Sequence, residues 1–576
     1  MSLSLDFIVI IVFSAFVLGI GFLFSKTSTN IKSFFAGGES VPWMISGISL
    51  FMSFFSAGTF VAWGSVAYQY GWVSITIQWT MAIGALVTAL FIAPMWKRTG
   101  NLTAAEYIQQ RLGIRVQKLY VYIFMVVSLF LTGAVLYPVA KLVSSSLDLP
   151  LLETTIVLGL VVIAYTAAGG LWAIMVTDVL QFVILTAAVL IVIPLAFDKV
   201  GGVSGFMDKA PDDFFQVLNG EYTFWFVIAF IVYHIFYIGG NWTFVQRYTS
   251  VESPKAAGKV AYLFAALYLI SPVIWMLPPM VYRLIDPSLQ GLDTENAYLL
   301  ICKLLLPSGL MGLMLTGMYF ATASSANTTL NVAAAVFTND IYKRVIKSEA
   351  SEKQLMKIAR LSSWVFGILM IVIALLVPYM GGMVEVVLSV AAVTAGPLLA
   401  PPIWALFSKR LSGRATIWIT LSTLFINIIF KIIMPFVNGF RLDRAEEMVV
   451  GIGVPTLLLL INELLQKSRM AKSEDYDNYI ALKEIRDARA RETKMDPMEV
   501  LHIKRQNHFG LKVITFSLLL TAVLLFALSG LASSGKGITA WIGVGIIVVS
   551  IIPWIASRKV GKDIQTLKLN TLGNNK

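Results

Sequence analysis

The sequence has one cysteine, Cys302, three histidines and few charges, which make up only 13% of its 576 residues. The lone cysteine excludes an intrachain disulfide and any multi-cysteine metal or iron–sulfur centre, and three histidines leave little material for a zinc site. No GxxxxGK[ST] motif occurs anywhere in the chain, so ATP-driven pumping has no sequence support. What is abundant is apolar surface. Hydrophobic residues are 57% of the chain, and the mean hydropathy of +0.79 is that of a polytopic, all-α membrane protein rather than a water-soluble globule.

Apolar runs long enough to cross about 30 Å of hydrocarbon recur about fifteen times between residues 6–25 and 538–557. Two neighbours, 150–168 and 171–197, are separated only by "AAGG" at 167–170. Placing the N-terminus outside puts about 35 of the 44 basic residues in alternate loops on one side, the cytoplasmic side by the positive-inside rule. That tally counts Arg247 to Lys259 as one such loop, and leaves Lys141, Lys303, Lys431 and Glu385 near the interfaces, where long side chains snorkel. The net charge of +12 is then topology, with no call for nucleic acid. The first run lacks the positive n-region of a secretory signal and reads as a retained outside-to-inside helix in a multi-pass plasma (inner) membrane protein. Residues 466–508, dense in mixed charge, read as a cytoplasmic helical connector or partner-docking arm broken at Asp496-Pro497.

Polar residues inside apolar runs carry the functional signal, because each one left unpaired in hydrocarbon is costly. In 42–69, Ser53 and the Ser56–Thr59 stretch concentrate small and hydroxyl residues; either the helix is interrupted there or the small residues serve close helix packing. In "YFATASSANTTLN" (319–331), helical phase places Ala321, Ser324, Ser325 and Thr328 within an arc of about 100°. Neutral hydroxyl and carbonyl oxygens suit a hard monovalent cation; a hydroxyl that merely bonds back to its own helix is the competing explanation for any single one of them. Asp178 is a carboxylate within a span, which must be protonated, meet a cation, or pair with a helix end.

Four stretches then carry a resemblance: "FFAGGESVPWMISGISLFMS" (34–53), "YTAAGGLWAIMVTDVLQ" (165–181), "NWTFVQRYTSVESPKAA" (241–257) and "SSANTTLNVAAAVFTNDIYK" (324–343). In order and spacing they resemble the solute:sodium symporter family of sodium/sugar, sodium/proline and sodium/sialic acid cotransporters. The similarity extends over roughly residues 5–465. The resemblance implies a LeuT-type fold with two inverted five-helix repeats and discontinuous helices around a midplane site. It divides the chain into a first helix and connector (1–41), a ten-helix transport core (42–436), an additional helix (437–465), the charged linker (466–508) and two C-terminal helices with a tail (509–576).

Carried over by position, the resemblance implies a sodium site of the Met52, Phe55 and Ala321 carbonyls with the Ser324 and Ser325 hydroxyls. Some members hold a second sodium near the equivalents of Asp178 and Thr328; here Asn327 stands where Ser is common. The solute positions are Thr59, Gln78, His234, Tyr268 and Ser389, with Tyr237 as the aromatic inner gate. The polar sugar contacts of the sugar-transporting relatives are not reproduced, and Phe54 replaces a frequent Asn or Asp. His234 reads either as a solute hydrogen-bonder or as a satisfied packing residue. The expected function is sodium-coupled import of a small organic solute, whether sugar, sugar acid, amino acid or carboxylate, with sodium as coupling ion and no organic cofactor. The alternatives are a transporter-like sensor signalling through 466–508 and a sodium-conducting channel; a membrane-embedded enzyme would need a catalytic partner for His234 that its own helix lacks.

Overall fold

The computed structural model describes residues 5–25, 34, 39–220, 222–380, 383–442, 444–468, 472–492 and 497–573. Among these there is no strand, only an isolated bridge between Asn219 and Tyr222. Among the described residues, nine helices are long and apolar enough to cross a membrane, and two bent pairs qualify when each is taken as one span. Three shorter apolar helices, and the buried helix Leu310–Val336 with its hydroxyl and amide residues, are additional to these, and the expected count of about fifteen depends on including them.

The bent pairs define the architecture. Trp43–Phe54 and Thr59–Tyr70 meet at 64°, and Phe224–Gly240 and Trp242–Thr249 at 55°. If Leu151–Val200 counts as two segments, these broken helices begin five segments apart, as two five-helix repeats require. That division is real although the helix is assigned without interruption over 50 residues, a straight length of about 75 Å. The Leu158 carbonyl accepts from Tyr319 Oη and Thr166 lies on Asn327, so the chain first runs alongside 310–336. It then returns: Asp178 shares Arg247 with Thr328, and Leu185 packs on Gly317. The reversal lies between Thr166 and Asp178, where the sequence has "AAGG".

Helix Leu310–Val336 is the buried axis of the molecule, packed by Leu5–Ser25, Ile114–Leu147 and Leu151–Val200. Its N-terminal amides at Gly309 and Gly312 both donate to Asp6 Oδ1 at 2.6 Å, a charge-assisted cap that also ties down the first helix. Gly309 has φ 92°, a left-handed value that glycine accepts without strain.

The charged arm is a helix, Glu474–Glu492, and Pro497 starts the next one; the expected break at Asp496 lies outside the described residues. Tyr479 packs edge-on against Tyr107, Arg111 lies over the Tyr476 ring, and Arg486 donates to the Thr99 carbonyl. One sequence expectation is corrected: Arg247 is not a loop cation but is fully buried. Lys431 pairs with Glu447, in the first turn of the next helix, at 2.9 Å. The side chain of Glu385 lies outside the described residues.

Candidate ion and solute site

At the first break, Phe55 and Ser56 leave the helix. The Phe55 amide still reaches Phe51, but the Ser56 amide turns to Thr59 Oγ1 at 3.3 Å, so the Met52 carbonyl loses its usual i+4 donor. The Ala57 amide is caught by Thr322 Oγ1 at 2.8 Å. Ser325 Oγ donates to the Phe55 carbonyl at 2.7 Å. The break and the hydroxyl face of helix 310–336 are therefore in direct contact, and Phe55, Ser325, Met52 and Ala321 gather there, the last two fully buried. Ser324 Oγ is buried and makes no hydrogen bond of normal geometry. Its neighbour is the Asp178 carboxylate, close enough to interact.

The candidate second-ion residues have different company. Asp178 Oδ2 accepts from Ser49 Oγ at 2.5 Å and lies 3.7 Å from the Arg247 guanidinium. Arg247 Nε donates to Ser49 Oγ at 3.0 Å and Nη2 to Thr328 Oγ1 at 2.7 Å. Thr328 in turn meets Ser53 Oγ at 3.0 Å, while Ser53 donates to the Ser49 carbonyl. Asn327 Oδ1 accepts from Thr166 Oγ1. Asp178, Asn327 and Thr328 thus already have protein partners, and the cation facing Asp178 is an arginine. Asp178 Oδ1 and Asn327 Nδ2 are left without a hydrogen bond of normal geometry, the former near enough to Ser324 to interact.

A cavity of about 660 Å³ borders the break, lined by Ser56, Thr59, His234, Tyr237, Ser325 and Thr329 among others. It extends to Gln69, Tyr70, Tyr222 and Gly291, on the side of the loops 201–223 and 286–296. Phe54, where relatives often carry a polar residue, sits against Tyr237, His234, Phe244 and Tyr268. Of the expected solute residues, Thr59, His234 and Tyr237 line the cavity. Gln78 and Tyr268 are fully buried outside its lining, each with an oxygen lacking a partner, and the Ser389 side chain lies outside the described residues. Thr80 Oγ1 donates to the Ile77 carbonyl at 2.5 Å and meets His234 Nδ1 at 2.8 Å. With its one proton committed, Thr80 must accept from Nδ1–H, which makes Nε2 the acceptor of the neutral ring.

Arg247, Ser49, Thr166 and Thr322 were not among the sequence candidates. Arg247 was concealed by its place next to a basic loop. Thr322 was visible in the polar stretch but lies off the hydroxyl arc.

Broken helices converging on one midplane site define a LeuT-type membrane transporter. The fold agrees with solved structures: a Na+-coupled sialic acid symporter in a substrate-bound outward-open state (TM-score 0.71, 22% identity, covering 82% of this chain and 99% of that one). Mhp1, a nucleobase-cation-symport-1 family transporter in a closed conformation, aligns with TM-score 0.52 at 15% identity, covering 78% and 98%. The family model for the sodium:solute symporter family matches residues 34–423, and the chain belongs to that family. Similar curated relatives include the sodium/glucose cotransporter of Vibrio parahaemolyticus, 25% identical over 80% of this chain and 91% of the relative. The sodium/sialic acid symporter SiaT of Proteus mirabilis is 28% identical over 63% and 76%.

Proposed function

We propose that this chain is a sodium-coupled symporter that imports a small uncharged, hydroxyl- or amide-bearing solute across the plasma (inner) membrane by alternating access. The N-terminus and the loops 201–223 and 286–296 are outside, the charged arm inside, and the 660 Å³ cavity is the outward-facing solute vestibule. The observation that carries the reading is the Ser325 hydroxyl on the Phe55 carbonyl across the helix break, with the buried Ser324 Oγ beside it in the same turn.

Sodium supplants the Ser325–Phe55 hydrogen bond: the carbonyls of Met52, Phe55 and Ala321 and the hydroxyls of Ser324 and Ser325 turn their oxygens to the ion. The ion then pins the broken helix to helix 310–336. Because that contact borders the solute cavity, ion and solute each favour the same closed arrangement, and the bias is reciprocal. One ion moving through about 100 mV gains roughly 2.3 kcal/mol, and a tenfold gradient adds about 1.4 kcal/mol. Together they sustain an uphill solute ratio of several hundred. A single ion suffices electrically, because Asp178 is already balanced by Arg247.

Among the described lining residues there is no lysine or arginine, while Glu295 and Glu447 are present, which argues against an anionic solute. His234 Nε2 offers it an acceptor, Thr59 a hydroxyl, and Tyr237 an aromatic face. The test is thermal stabilisation of the purified protein by glucose, galactose, sialic acid, proline and iodide, in sodium or in choline. A solute that stabilises only with sodium supports coupling. Stabilisation independent of sodium, or sodium currents that do not saturate with solute, would refute it.

A further inference from the structure

We propose that the cleft between the last two helices, where their basic ends leave the membrane, binds the phosphate headgroup of an anionic membrane lipid. This inference goes beyond solute transport and rests only on both helices being membrane spans, which their length and composition support.

Helices Pro497–Leu531 and Lys536–Gly573 run as an antiparallel pair. A cleft of about 900 Å³ opens between them, lined by Arg505 and Lys512 from one and by Arg558 and Lys562 from the other. All four are exposed, and no carboxylate is among the described lining residues. The nearest described acid along the chain, Asp563, faces Lys504 outside the cleft at 3.2 Å. Four cations converge without an internal counter-charge, the arrangement that recognises phosphate.

The cleft is built rather than incidental. His508 Nδ1 sits 2.8 Å from the Ser557 carbonyl and joins the helices across its floor. A Cβ on Gly561 would lie 3.1 Å from the same imidazole, so the glycine leaves the ring its place between the helices. Gly510 faces Trp172 with no room for a side chain, fixing the pair to the core. Arg558 lies over the Trp554 ring at 4.1 Å, holding its guanidinium at the cleft mouth.

The level in the membrane selects a lipid over a soluble anion. Towards the membrane the cleft is continued by Trp554, Phe516 and Leu519, which are 44%, 63% and 41% exposed. From Lys512 to Leu519 is about 10 Å along the helix, the scale that separates a headgroup from its first acyl carbons. Basic pockets between transmembrane helices on the cytoplasmic side take such headgroups.

The full-length protein, purified in detergent, would be titrated with phosphatidylglycerol or phosphatidylcholine and the bound lipid counted by native mass spectrometry. At about fivefold per Lys or Arg, Lys512→Gln/Arg558→Gln should weaken phosphatidylglycerol retention roughly 25-fold. The charge-preserving pair Lys512→Arg/Arg558→Lys should keep it, which separates lost binding from lost folding. Lys353→Gln/Lys357→Gln, removing the same charge elsewhere, should change it less than twofold. Equal retention of the two lipids, equal loss from both glutamine pairs, or displacement by glycerol phosphate at the lipid's own concentration would each overturn the proposal.

Discussion

Two places on helix 310–336, less than one turn apart, meet the first broken region with opposite electrostatics. At Ser325 the partner is a backbone carbonyl, Phe55, and the surrounding oxygens are neutral. At Thr328 the partner is the Arg247 guanidinium, with Asp178 and Ser49 behind it. In the proposed function the first place takes up and releases a cation, its ligands at Ser325 and Phe55 being neutral. The second holds its cation covalently on the chain. The lesson is that oxygens on one helical face are not one site: what faces them decides whether the positive charge is cargo or scaffold.

The strongest way to break this comparison is to remove the scaffold cation. Arg247→Met would leave Asp178 fully buried without its charge partner, and breaking such a pair costs about 3–5 kcal/mol. The folded yield in detergent and the thermal midpoint should fall sharply, and Arg247→Met/Asp178→Asn should recover part of the loss. A single variant as stable as the parent would show that Arg247 holds nothing together.

The cargo side should respond differently. Ser325→Ala removes one neutral ligand to a charged ion, an interaction of about 1.5–3 kcal/mol. The sodium concentration for half-maximal thermal stabilisation should rise about tenfold, with little change in stability without sodium. Sodium dependence of uptake should also follow a Hill coefficient near one. A value near two, lost in Asp178→Asn, would move a second ion to the Arg247 end.

Within the solute cavity the expected effects are smaller. Thr80→Val removes the side-chain partner of His234 Nδ1 and loosens the orientation of the ring. Solute half-saturation should rise roughly three- to tenfold, at about 1 kcal/mol for a misdirected hydrogen bond, while sodium half-saturation stays put. A shift in both would mean that His234 serves the ion seat as well.

The same contrast governs what the sequence could reveal. Helical phase alone grouped Ser324, Ser325 and Thr328, and the small residues at Ser56–Thr59 marked a break that the structure places within Ser325's reach. Local pattern sufficed because both signals sit within single segments. The "AAGG" reversal was legible for the same reason. Arg247 was not, because an arginine beside Lys255 and Lys259 has the pattern of a loop cation, and its partners Ser49, Asp178 and Thr328 come from three other segments. The solute cavity was the least legible part: its lining is drawn from many helices, and position alone could not tell that Gln78 and Tyr268 lie buried outside it.

Tyr268 therefore gives the smallest effect and the sharpest check on that boundary. Its ring is packed by Phe51, Phe54 and Phe264, while its buried hydroxyl has no partner. Tyr268→Phe keeps the packing and deletes an unsatisfied oxygen, so stability should be unchanged or rise by up to about 1 kcal/mol. Sodium and solute half-saturation should both move less than twofold. A tenfold loss of solute affinity with sodium dependence intact would mean that Phe54 swings aside during transport and admits the solute to Tyr268, extending the cavity past the ring that now bounds it.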